Sequence, residues 1–562
     1  MPTDQPTGTR APIADVVLAT DVMPIGHLLL RAMRRDPDHE ALVFPDARLS
    51  YRELAERSWS IARSLMALGV EPGDHVGILM TNHPDIVSTF FGISLSGAVV
   101  VPINARYRTA EVGHIVEDAD LTILLTHDSA DEHVDFGALL QQSIPGLAGA
   151  SDPRRLELPE HPKLRSVVMM GAREPEGMIG RRAFEALAGE VGDAALQTRV
   201  EGLRVRDPGV ILYTSGTTSA PRGAILTHEA FVRVWMATGR VFGTTSEDRH
   251  WNGLPLFHVA ALGCLTWIVG HGATFISDYH WDPGRALEAL EAERATQFYP
   301  AYQPIMEGLI SHPRFEQTDL SALRVFLNTS PPEVLEKFQA RLPHAIQLTM
   351  YGGTEGGPAT VTRLDDPLED RLGTSGRPHP GIEVRVVGEG GETLGAGEPG
   401  IIQFRGWNTL ERYHKSPEKT AESMPGDGWV TMSDLGVLDE KGQVLFLGRA
   451  KETLKVGGEN VAPQEVESHL CTHPAVKLAQ VVGMPDERLV EVPAAYVELL
   501  PGAEVSPEEL IDHCRGRIAS FKVPRLVRFI SGEEWPMSAT KIQRFALRDR
   551  LLEELDEQEA RA

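Results

Sequence analysis

The alternation of apolar segments with amphipathic helices over residues 50–126 constrains the fold of this 562-residue chain more than any other feature. Ser50 and Glu53 have the spacing of a capping box, and they begin a predicted helix that ends at Gly69. The segments that follow predict, in order, a strand over 76–80, a helix over 84–95, and strands over 99–101 and 121–125. Strands joined through helices at this spacing form parallel βαβ units, so the sequence predicts an α/β core.

Later segments change character and indicate how the chain is divided. Residues 127–205 carry scattered proline and charge, and they predict a surface excursion with one helix over 181–190. Residues 381–447 predict a β-rich unit with glycine in its turns, and a charged helix over 545–559 closes the chain. We therefore predict an N-terminal domain of α/β layers with a β-rich subdomain, a hinge and a small α+β C-terminal domain, over residues 1–449, 450–452 and 453–562 respectively.

The composition argues against several classes of protein. A formal charge of −25 leaves no basic footprint for a nucleic acid. Cys264, Cys471 and Cys514 show no CxxC spacing, which argues against a disulfide framework or a zinc site. The N-terminus has no basic-then-apolar leader, and no apolar run approaches the ~18 residues of a membrane span. We therefore expect a cytoplasmic protein with no integral membrane segment.

A first motif, YTSGTTSAPRG over 213–223, follows an apolar strand predicted over 210–212. Its hydroxyls, glycines and one cation can surround a polyphosphate with side-chain and backbone donors. It is not a Walker A loop, because no Gly-Lys-Ser/Thr follows Gly216 at the required spacing. Taken alone, the motif is also compatible with a Ser/Thr-rich surface turn.

Four further clusters carry groups suited to nucleotide chemistry. The run YGGTE over 351–355 combines an aromatic ring, close-approach glycines, a hydroxyl and a carboxylate. Asp434 is predicted at a strand end, where it could accept hydrogen bonds from both ribose hydroxyls. A glycine pair lies within 448–467 ahead of a predicted helix, and Lys541 lies in a predicted turn within 536–544. Each cluster alone is a weak signal.

Together and in this order, the five motifs closely resemble the adenylate-forming superfamily, and most closely its acyl-CoA synthetases. The superfamily also includes aryl-CoA ligases, firefly luciferases and the adenylation domains of peptide synthetases. The resemblance extends over nearly the whole chain and is weakest in the first 40 residues and in 127–205. It implies ATP, Mg²⁺ and CoA as cofactor and co-substrates, and a C-terminal domain that moves between two half-reactions.

The resemblance also implies roles for residues around ATP. The residues implied to handle the β- and γ-phosphates are Thr214, Ser215, Gly216, Thr217, Thr218 and Arg222. Thr354 would contact the α-phosphate, and Glu355 would hold Mg²⁺ with Thr217. Tyr351 and Gly352 would line the adenine with Ser330-Pro331 on its other face, whereas Asp434, helped by Arg449, would bind the ribose.

The C-terminal residues acquire their implied roles in the same way. Lys541 would bridge the substrate carboxylate and the α-phosphate, and Lys451 is the implied hinge residue. Lys455, Gly457 and Gly458 would form the loop that CoA passes during thioester formation. The chain departs from the family pattern without losing a needed charge: Arg222 replaces a lysine, and Ser219, Ser433 and Thr540 replace glycines.

The implied acyl pocket begins at PLFH over 255–258. Amino-acid-activating relatives usually carry Asp where this chain has His258, so amino-acid activation is disfavoured; His258 is either a gate beside the carboxylate or a packed core histidine. Residues 259–265 are apolar and mostly small, and four glycines are predicted opposite them: Gly352, Gly353, Gly356 and Gly357. This predicts a roomy, uncharged tunnel for a medium or long acyl chain, or for a bulky alicyclic or aryl carboxylate.

The acceptor of the acyl group is predicted to be CoA, because the sequence ends soon after the predicted C-terminal domain. A free-standing acyl carrier protein is the second acceptor to consider, and a homodimer is left open. Two other classes remain as alternatives: a catalytically silent nucleotide-binding regulatory protein and an unrelated phosphate-loop ATPase. The first would release no pyrophosphate, and the second would release phosphate in place of AMP.

Overall fold

The computed structural model describes residues 22–130, 132–214, 221–456, 459–486, 488–538 and 541–561. Within these ranges, no helix is both long and apolar enough to span a bilayer. Two large sheets and their helices make up most of the chain before residue 350, and smaller sheets follow.

The first large sheet has eight strands and contains the predicted βαβ units. In spatial order its strands are Arg412–Tyr413, Arg222–Thr227, Pro208–Thr214, Val99–Pro102, His75–Leu79, Leu121–Thr126, Ser166–Met169 and Ile179–Gly180. His75–Leu79 pairs in parallel with both Val99–Pro102 and Leu121–Thr126, as the spacing predicts. The two strands that flank the first motif, Pro208–Thr214 and Arg222–Thr227, are antiparallel.

The second large sheet has seven strands. In spatial order they are Ile346–Leu348, Val325–Asn328, Gln297–Ala301, Arg249–Asn252, Thr274–Ser277, Glu40–Phe44 and Ala47–Ser50. All neighbours pair in parallel except the last two, which form a hairpin. Fully buried strands of parallel sheets are nearly continuous apolar runs, which is why this part of the chain shows little alternation.

Helices cover both large sheets. Those before residue 350 are Ile25–Arg35, Tyr51–Ala67, Pro84–Leu95, Thr109–Asp118, Phe136–Ser143, Arg181–Leu187, Asp193–Gly202, His228–Val241, Val259–His271, Pro283–Ala292, Gln303–Ile310 and Pro332–Arg341. The predicted capping box is present: the Ser50 hydroxyl accepts from the Glu53 amide, and the Glu53 carboxylate accepts from the Ser50 amide. Pro84–Leu95 is buried along its whole length, and the largest apolar core joins side chains of both sheets.

The segment 127–205 differs from its prediction as a surface excursion. It adds two parallel strands, Ser166–Met169 and Ile179–Gly180, to the edge of the first sheet. The helix expected over 181–190 is present as Arg181–Leu187 with a 3₁₀ turn at Ala188–Glu190. The segment also contains one helix before it, Phe136–Ser143, and one after it, Asp193–Gly202. Four consecutive buried residues, Ser166 to Met169, are too short a run to stand out among prolines and charges.

The β-rich unit after residue 350 is confirmed. A four-stranded antiparallel sheet contains Ile382–Val387, Gly400–Gly406, Val430–Leu438 and Val444–Arg449. A three-stranded sheet contains Met350–Gly353, Gly357–Val361 and Arg377–Pro378, with short helices at Leu368–Gly373 and Pro417–Ser423. Asp434 lies in the middle of its strand and not at its end, and the preceding Ser433 has a positive φ.

The C-terminal residues form an α+β unit with its own apolar core. Its strands are Leu454–Val456, Glu459–Val461, Val476–Asp486, Val490–Leu499 and Leu526–Phe529, and its helices are Pro463–Cys471, Pro507–Cys514 and Arg544–Arg561. A 3₁₀ turn at Ala450–Glu452 joins this unit to the β-rich sheet at the predicted hinge. The domain boundaries and the movement of this joint stay predictions.

Candidate active site

The two arms of the phosphate motif are held in a fixed antiparallel pair. Thr214 lies opposite Arg222, and the Thr214 hydroxyl donates to the Arg222 carbonyl over 3.4 Å. The Tyr213 hydroxyl donates to the Asp118 carboxylate at 2.5 Å. Burial, together with this carboxylate, raises the pKa of Tyr213 far above its usual range, so the phenol stays protonated. Four predicted loop residues lie outside the described residues: Ser215, Gly216, Thr217 and Thr218.

Glu355 lies in the turn between two strands of the three-stranded sheet, with Thr354 before it. Its Oε1 accepts a hydrogen bond from the Tyr413 hydroxyl at 2.7 Å, and its carbonyl accepts from the Leu410 amide at 2.8 Å. Both Thr354 and Glu355 are half-buried. Mg²⁺ takes oxygen ligands, often one carboxylate plus substrate phosphates and water, so the half-buried Glu355 carboxylate fits this ion.

The ribose and adenine candidates are brought together. The Tyr351 hydroxyl donates to Asp434 Oδ2 at 3.1 Å, and Arg449 Nε lies 3.7 Å from Asp434 Oδ1. Asp434 and Arg449 are cross-strand partners. Burial and the neighbouring Asp434 carboxylate raise the pKa of Tyr351 well above its usual range. Tyr351 is also buried and lies 5.8 Å, ring centre to ring centre, from Phe446.

Ser330 and Pro331 follow the strand Val325–Asn328 and precede the helix Pro332–Arg341. The Ser330 hydroxyl hydrogen-bonds to the Asn328 side chain. The carboxyl ends of parallel strands are where α/β sheets bind ligands, so this position agrees with the predicted adenine segment. The stacking of adenine between this segment and the tyrosine stays a prediction.

The four glycines predicted to face the acyl tunnel point in different directions. A Cβ on Gly352 would lie 2.0 Å from the Gly357 carbonyl oxygen, so the hairpin requires glycine there. Substituents on Gly353 and Gly356 would meet Met432 and Phe404, whereas a substituent on Gly357 would meet Val234 of the helix His228–Val241. Of the four, Gly357 alone packs against a helix at its nearest contact, and that helix is His228–Val241 and not the predicted segment 259–265.

His258 caps the helix Val259–His271, and its Nδ1 accepts from the Ala260 amide at 3.3 Å. Its ring is nearly perpendicular to that of Tyr302, with centres 6.2 Å apart, and the residue is half-exposed. The helix that follows is buried from Val259 through Gly270. The partial exposure argues against a packed core histidine and is compatible with a gate.

The structure places the C-terminal candidates as follows. Lys541 begins the second strand of a small hairpin, Met537–Ser538 with Lys541–Ile542. Lys451 lies in the 3₁₀ turn of the predicted hinge. The Lys455 amide donates to Glu491 Oε1 at 2.6 Å, whereas Gly457 and Gly458 lie outside the described residues.

Two residues near these candidates were missed by sequence reasoning. Tyr413 contacts Glu355, which lies 58 positions earlier. Arg544 lies three positions after Lys541 and forms a bidentate pair with buried Glu467, through contacts of 2.7 and 3.1 Å, and a second pair with Glu452. The contacts of Tyr413 and Arg544 depend on tertiary structure, so the only available signal was that Arg544 is close to Lys541 in the sequence.

Among the described residues, one other group has metal-compatible spacing: His83, Asp85 and His127. Asp85 Oδ2 lies 3.4 Å from His83 Nδ1 and 3.2 Å from His127 Nε2. However, His127 Nδ1 accepts from the Ser129 amide, which leaves the proton on Nε2, and Arg181 also pairs with Asp85. Burial opposes the Asp85 charge, but the two histidines and Arg181 outweigh it and hold the pKa of Asp85 well below its usual range. We interpret the group as a charge network.

Ser433 has a φ of 60°, a left-handed conformation that is unfavourable for a residue with a Cβ. Ser433→Gly is expected to raise the free energy of unfolding by about 0.5–1 kcal/mol. The variant removes the penalty of a left-handed backbone for a residue with a Cβ, and the greater conformational entropy that glycine loses on folding offsets part of this gain. The midpoint of chemical denaturation measures this change. Ser433→Ala is the control, and it should give no increase; an equal increase in both variants would show that backbone strain is not the cause.

The chain matches the AMP-binding enzymes over residues 29–414 and the AMP-binding enzyme C-terminal domain over residues 465–541. It therefore belongs to the AMP-binding enzyme family, whose members form adenylates, and the resemblance seen in the motifs is confirmed. The α/β fold with a separate C-terminal domain is confirmed by the solved structures of this family.

Individual relatives align with this chain over nearly their whole length. The chain is 32% identical over 507 residues to a CoA ligase for a methyl-dioxo-octahydroindenyl propanoyl group from Rhodococcus jostii strain RHA1, covering 89% of this chain and 94% of the relative. It is 30% identical over 546 residues to a mitochondrial medium-chain acyl-CoA ligase of Mus musculus, covering 94% of this chain and 88% of the relative. The structure of the anthranilate CoA ligase AuaEII with anthranoyl-AMP matches with a TM-score of 0.81 and 27% identity, over 94% of this chain and 97% of that one. The chain is accordingly an AMP-forming carboxylate–CoA ligase by class.

Proposed function

We propose that this chain activates an apolar carboxylic acid as acyl-AMP and transfers the acyl group to CoA. The observation that carries the proposal is a continuous path of contacts through the candidate nucleotide site. Asp434 accepts from Tyr351, the same hairpin carries Glu355, and Glu355 accepts from Tyr413, whose strand pairs with that of Arg222. This path joins the candidate ribose, metal and phosphate residues, of which Arg222 and Asp434 are more than 200 positions apart, and so supports a single shared site.

The first half-reaction joins two anions, because a carboxylate must attack the α-phosphorus of ATP. In the proposed site, Arg222 and Lys541 offset this repulsion, and fixed positions supply the rest of the catalysis. Mg²⁺ held by Glu355 would neutralise phosphate charge. Asp434 and Tyr351 orient the nucleoside so that the α-phosphate is presented in one direction.

The second half-reaction uses the C-terminal unit. The acyl-AMP is a mixed anhydride that water destroys, so a closed site protects it. In our proposal the unit then turns about Lys451, withdraws Lys541 and presents the loop that contains Lys455, Gly457 and Gly458. Glycine in that loop permits the close approach of a thiol-bearing arm.

An apolar acid is supported by the walls near His258. The helix that follows His258 is buried and apolar from Val259 through Gly270, so it adds no charged side chain beside His258. The relatives described above act, by their names, on an alicyclic propanoyl group, on medium-chain acyl groups and on anthranilate. Their range agrees with a roomy uncharged pocket and leaves the particular acid to experiment.

A panel of carboxylic acids tests the proposal, with AMP and pyrophosphate measured with and without CoA. We expect pyrophosphate release with apolar acids alone, and release of AMP together with the thioester when CoA is added, because AMP leaves only when the thiol attacks the acyl-AMP. Transfer to a purified acyl carrier protein but not to CoA would favour the carrier-loading alternative. The absence of both pyrophosphate and AMP with every acid would favour a silent nucleotide-binding protein, and phosphate in place of AMP would favour an ATPase.

Asp434→Ala is expected to weaken ATP binding by about 1.5–3 kcal/mol. The variant lacks the buried carboxylate, so the ribose hydroxyls lose hydrogen bonds that the negative charge would strengthen. Isothermal calorimetry with ATP measures the effect. Glu383→Ala is the matched control, since it removes an exposed carboxylate from the same four-stranded sheet and should leave affinity unchanged. Unchanged affinity in the Asp434 variant would show that the ribose binds elsewhere.

A further inference from the structure

The segment Leu410–His414 connects Glu355 to the return arm of the phosphate motif. The Leu410 amide donates to the Glu355 carbonyl at 2.8 Å, and the His414 amide donates to the Gly223 carbonyl at 2.7 Å. Between these bonds, Arg412–Tyr413 pairs with the strand Arg222–Thr227 as the edge of the eight-stranded sheet. One short segment therefore joins the candidate metal ligand to the return arm of the phosphate motif.

The next residue extends this connection to a helix. Lys415 Nζ donates to the Glu117 carbonyl at 3.2 Å and pairs with Asp120 at 2.8 Å. The helix Thr109–Asp118 also provides Asp118, which accepts from Tyr213 on the first arm of the motif. Both arms of the phosphate motif are thus connected to the helix Thr109–Asp118, one through Tyr213 and the other through the segment Leu410–His414 and Lys415.

Tyr413 is the side chain through which this segment reaches the Glu355 carboxylate. It is only 3% exposed, and its hydroxyl donates to Glu355 Oε1 at 2.7 Å. Its backbone is held by the strand pairing, so the hydroxyl is aimed by the sheet and not by a flexible loop. A carboxylate on a half-buried turn has two free torsions beyond χ1, and this hydrogen bond selects among them.

We propose that Tyr413 is a positioning residue for Glu355: by occupying Oε1, it orients the carboxylate toward a divalent cation at the nucleotide. The inference deepens the proposed function and rests on it. Tyr413 itself need not contact nucleotide or acid. Its contribution is a hydrogen bond to a charged group, whose loss corresponds to about a tenfold or larger change in equilibrium.

Tyr413→Phe tests the inference, because it removes the hydroxyl and keeps the ring. We expect the concentration of Mg²⁺ needed for half-maximal ATP binding to rise about tenfold, with little change in ATP affinity at saturating Mg²⁺. Calorimetry at several Mg²⁺ concentrations measures this without turnover, and Mn²⁺ binding followed by electron paramagnetic resonance gives a second readout.

Tyr51→Phe is the matched control. Tyr51 is 1% exposed, and its hydroxyl donates to the Ala273 carbonyl at 2.6 Å, so it loses an equally buried hydroxyl away from the candidate ATP residues. It should leave the Mg²⁺ dependence unchanged while lowering thermal stability to a similar extent. A change in Mg²⁺ dependence shared by both variants would overturn the proposal, because it would reflect general destabilisation.

A double-mutant cycle with Glu355→Gln separates positioning from an independent role. If Tyr413 acts through Glu355, Tyr413→Phe should add less than a twofold change in the Glu355→Gln background. An undiminished tenfold change there, or no change in the wild-type background, would overturn the proposal. Failure of the wild-type protein to bind ATP with Mg²⁺ would instead contradict the proposed function itself.

Discussion

Arg544→Met is expected to lower the free energy of unfolding of the C-terminal unit by about 3–5 kcal/mol, because it leaves a buried carboxylate without its partner. Arg544 pairs with Glu467 through two hydrogen bonds and with Glu452 through a third contact. Burial opposes the guanidinium charge, but the two carboxylates outweigh it and hold the pKa of Arg544 above its ordinary value.

The buried position of Glu467 makes this loss large. Its Oε1 also accepts from the Val481 amide at 2.7 Å, so the carboxylate connects the helix Pro463–Cys471 to the edge strand Val476–Asp486. Removing only the arginine leaves this buried carboxylate without its bidentate cationic partner. Adding Glu467→Gln to the arginine variant should restore part of the stability, since a neutral amide costs less to bury.

Chemical denaturation, with hydrogen exchange in the strand Val476–Asp486, measures the expected loss. Arg548→Met is the matched control: it lies on the same helix, its side chain is 50% exposed, and its ion pair with Glu491 is 3.7 Å long. That variant should lose less than about 1 kcal/mol, as exposed ion pairs do. Similar small losses in both variants would show that Arg544 is not an essential partner of Glu467.

The parts of the fold predicted from sequence are those whose signals are local. The strands between His75 and Thr126 are short apolar runs bounded by helix signals, and each pairs in parallel as predicted. The strand Ser166–Met169 was missed because its four residues form a strand through pairing with Leu121–Thr126, and this pairing has no local signal in the sequence. Asp434 was predicted at a strand end but lies within the strand Val430–Leu438, whose pairing with two neighbouring strands continues past it and is not visible in the local sequence.

The candidate site divides in the same way. Tyr351, Glu355 and Asp434 lie in compact motifs, so the family resemblance makes them candidates, and in the structure Tyr351 contacts Asp434 and lies on the hairpin that carries Glu355. Supporting contacts near the candidates join residues that are distant in sequence: Tyr413 is 58 positions from Glu355, and Arg544, three positions after Lys541, is 92 positions from Glu452. A tyrosine or an arginine outside a motif carries no local mark of such a contact, so these supports became visible only in three dimensions.

Lys541→Ala is expected to slow adenylate formation by about 10²–10³-fold, the scale for losing one preorganised electrostatic contact. The proposed two-step scheme gives this lysine a role in one step only. It neutralises charge where the substrate carboxylate meets the α-phosphate, and it should lie far from the thiol once the C-terminal unit has turned. Its position on a short hairpin, close to the anchored Arg544, is compatible with movement as part of a rigid unit.

The two half-reactions can be measured separately in this variant. Supplied with chemically prepared acyl-AMP, Lys541→Ala should transfer the acyl group to CoA at nearly the normal rate. Lys455→Ala should show the opposite preference if its loop guides the thiol. Lys522→Ala is the matched control, because it removes a C-terminal lysine paired with Glu465 and should leave both rates unchanged. Comparable damage to both half-reactions in the Lys541 variant would contradict domain alternation, since a lysine needed for both steps must stay in a single static site.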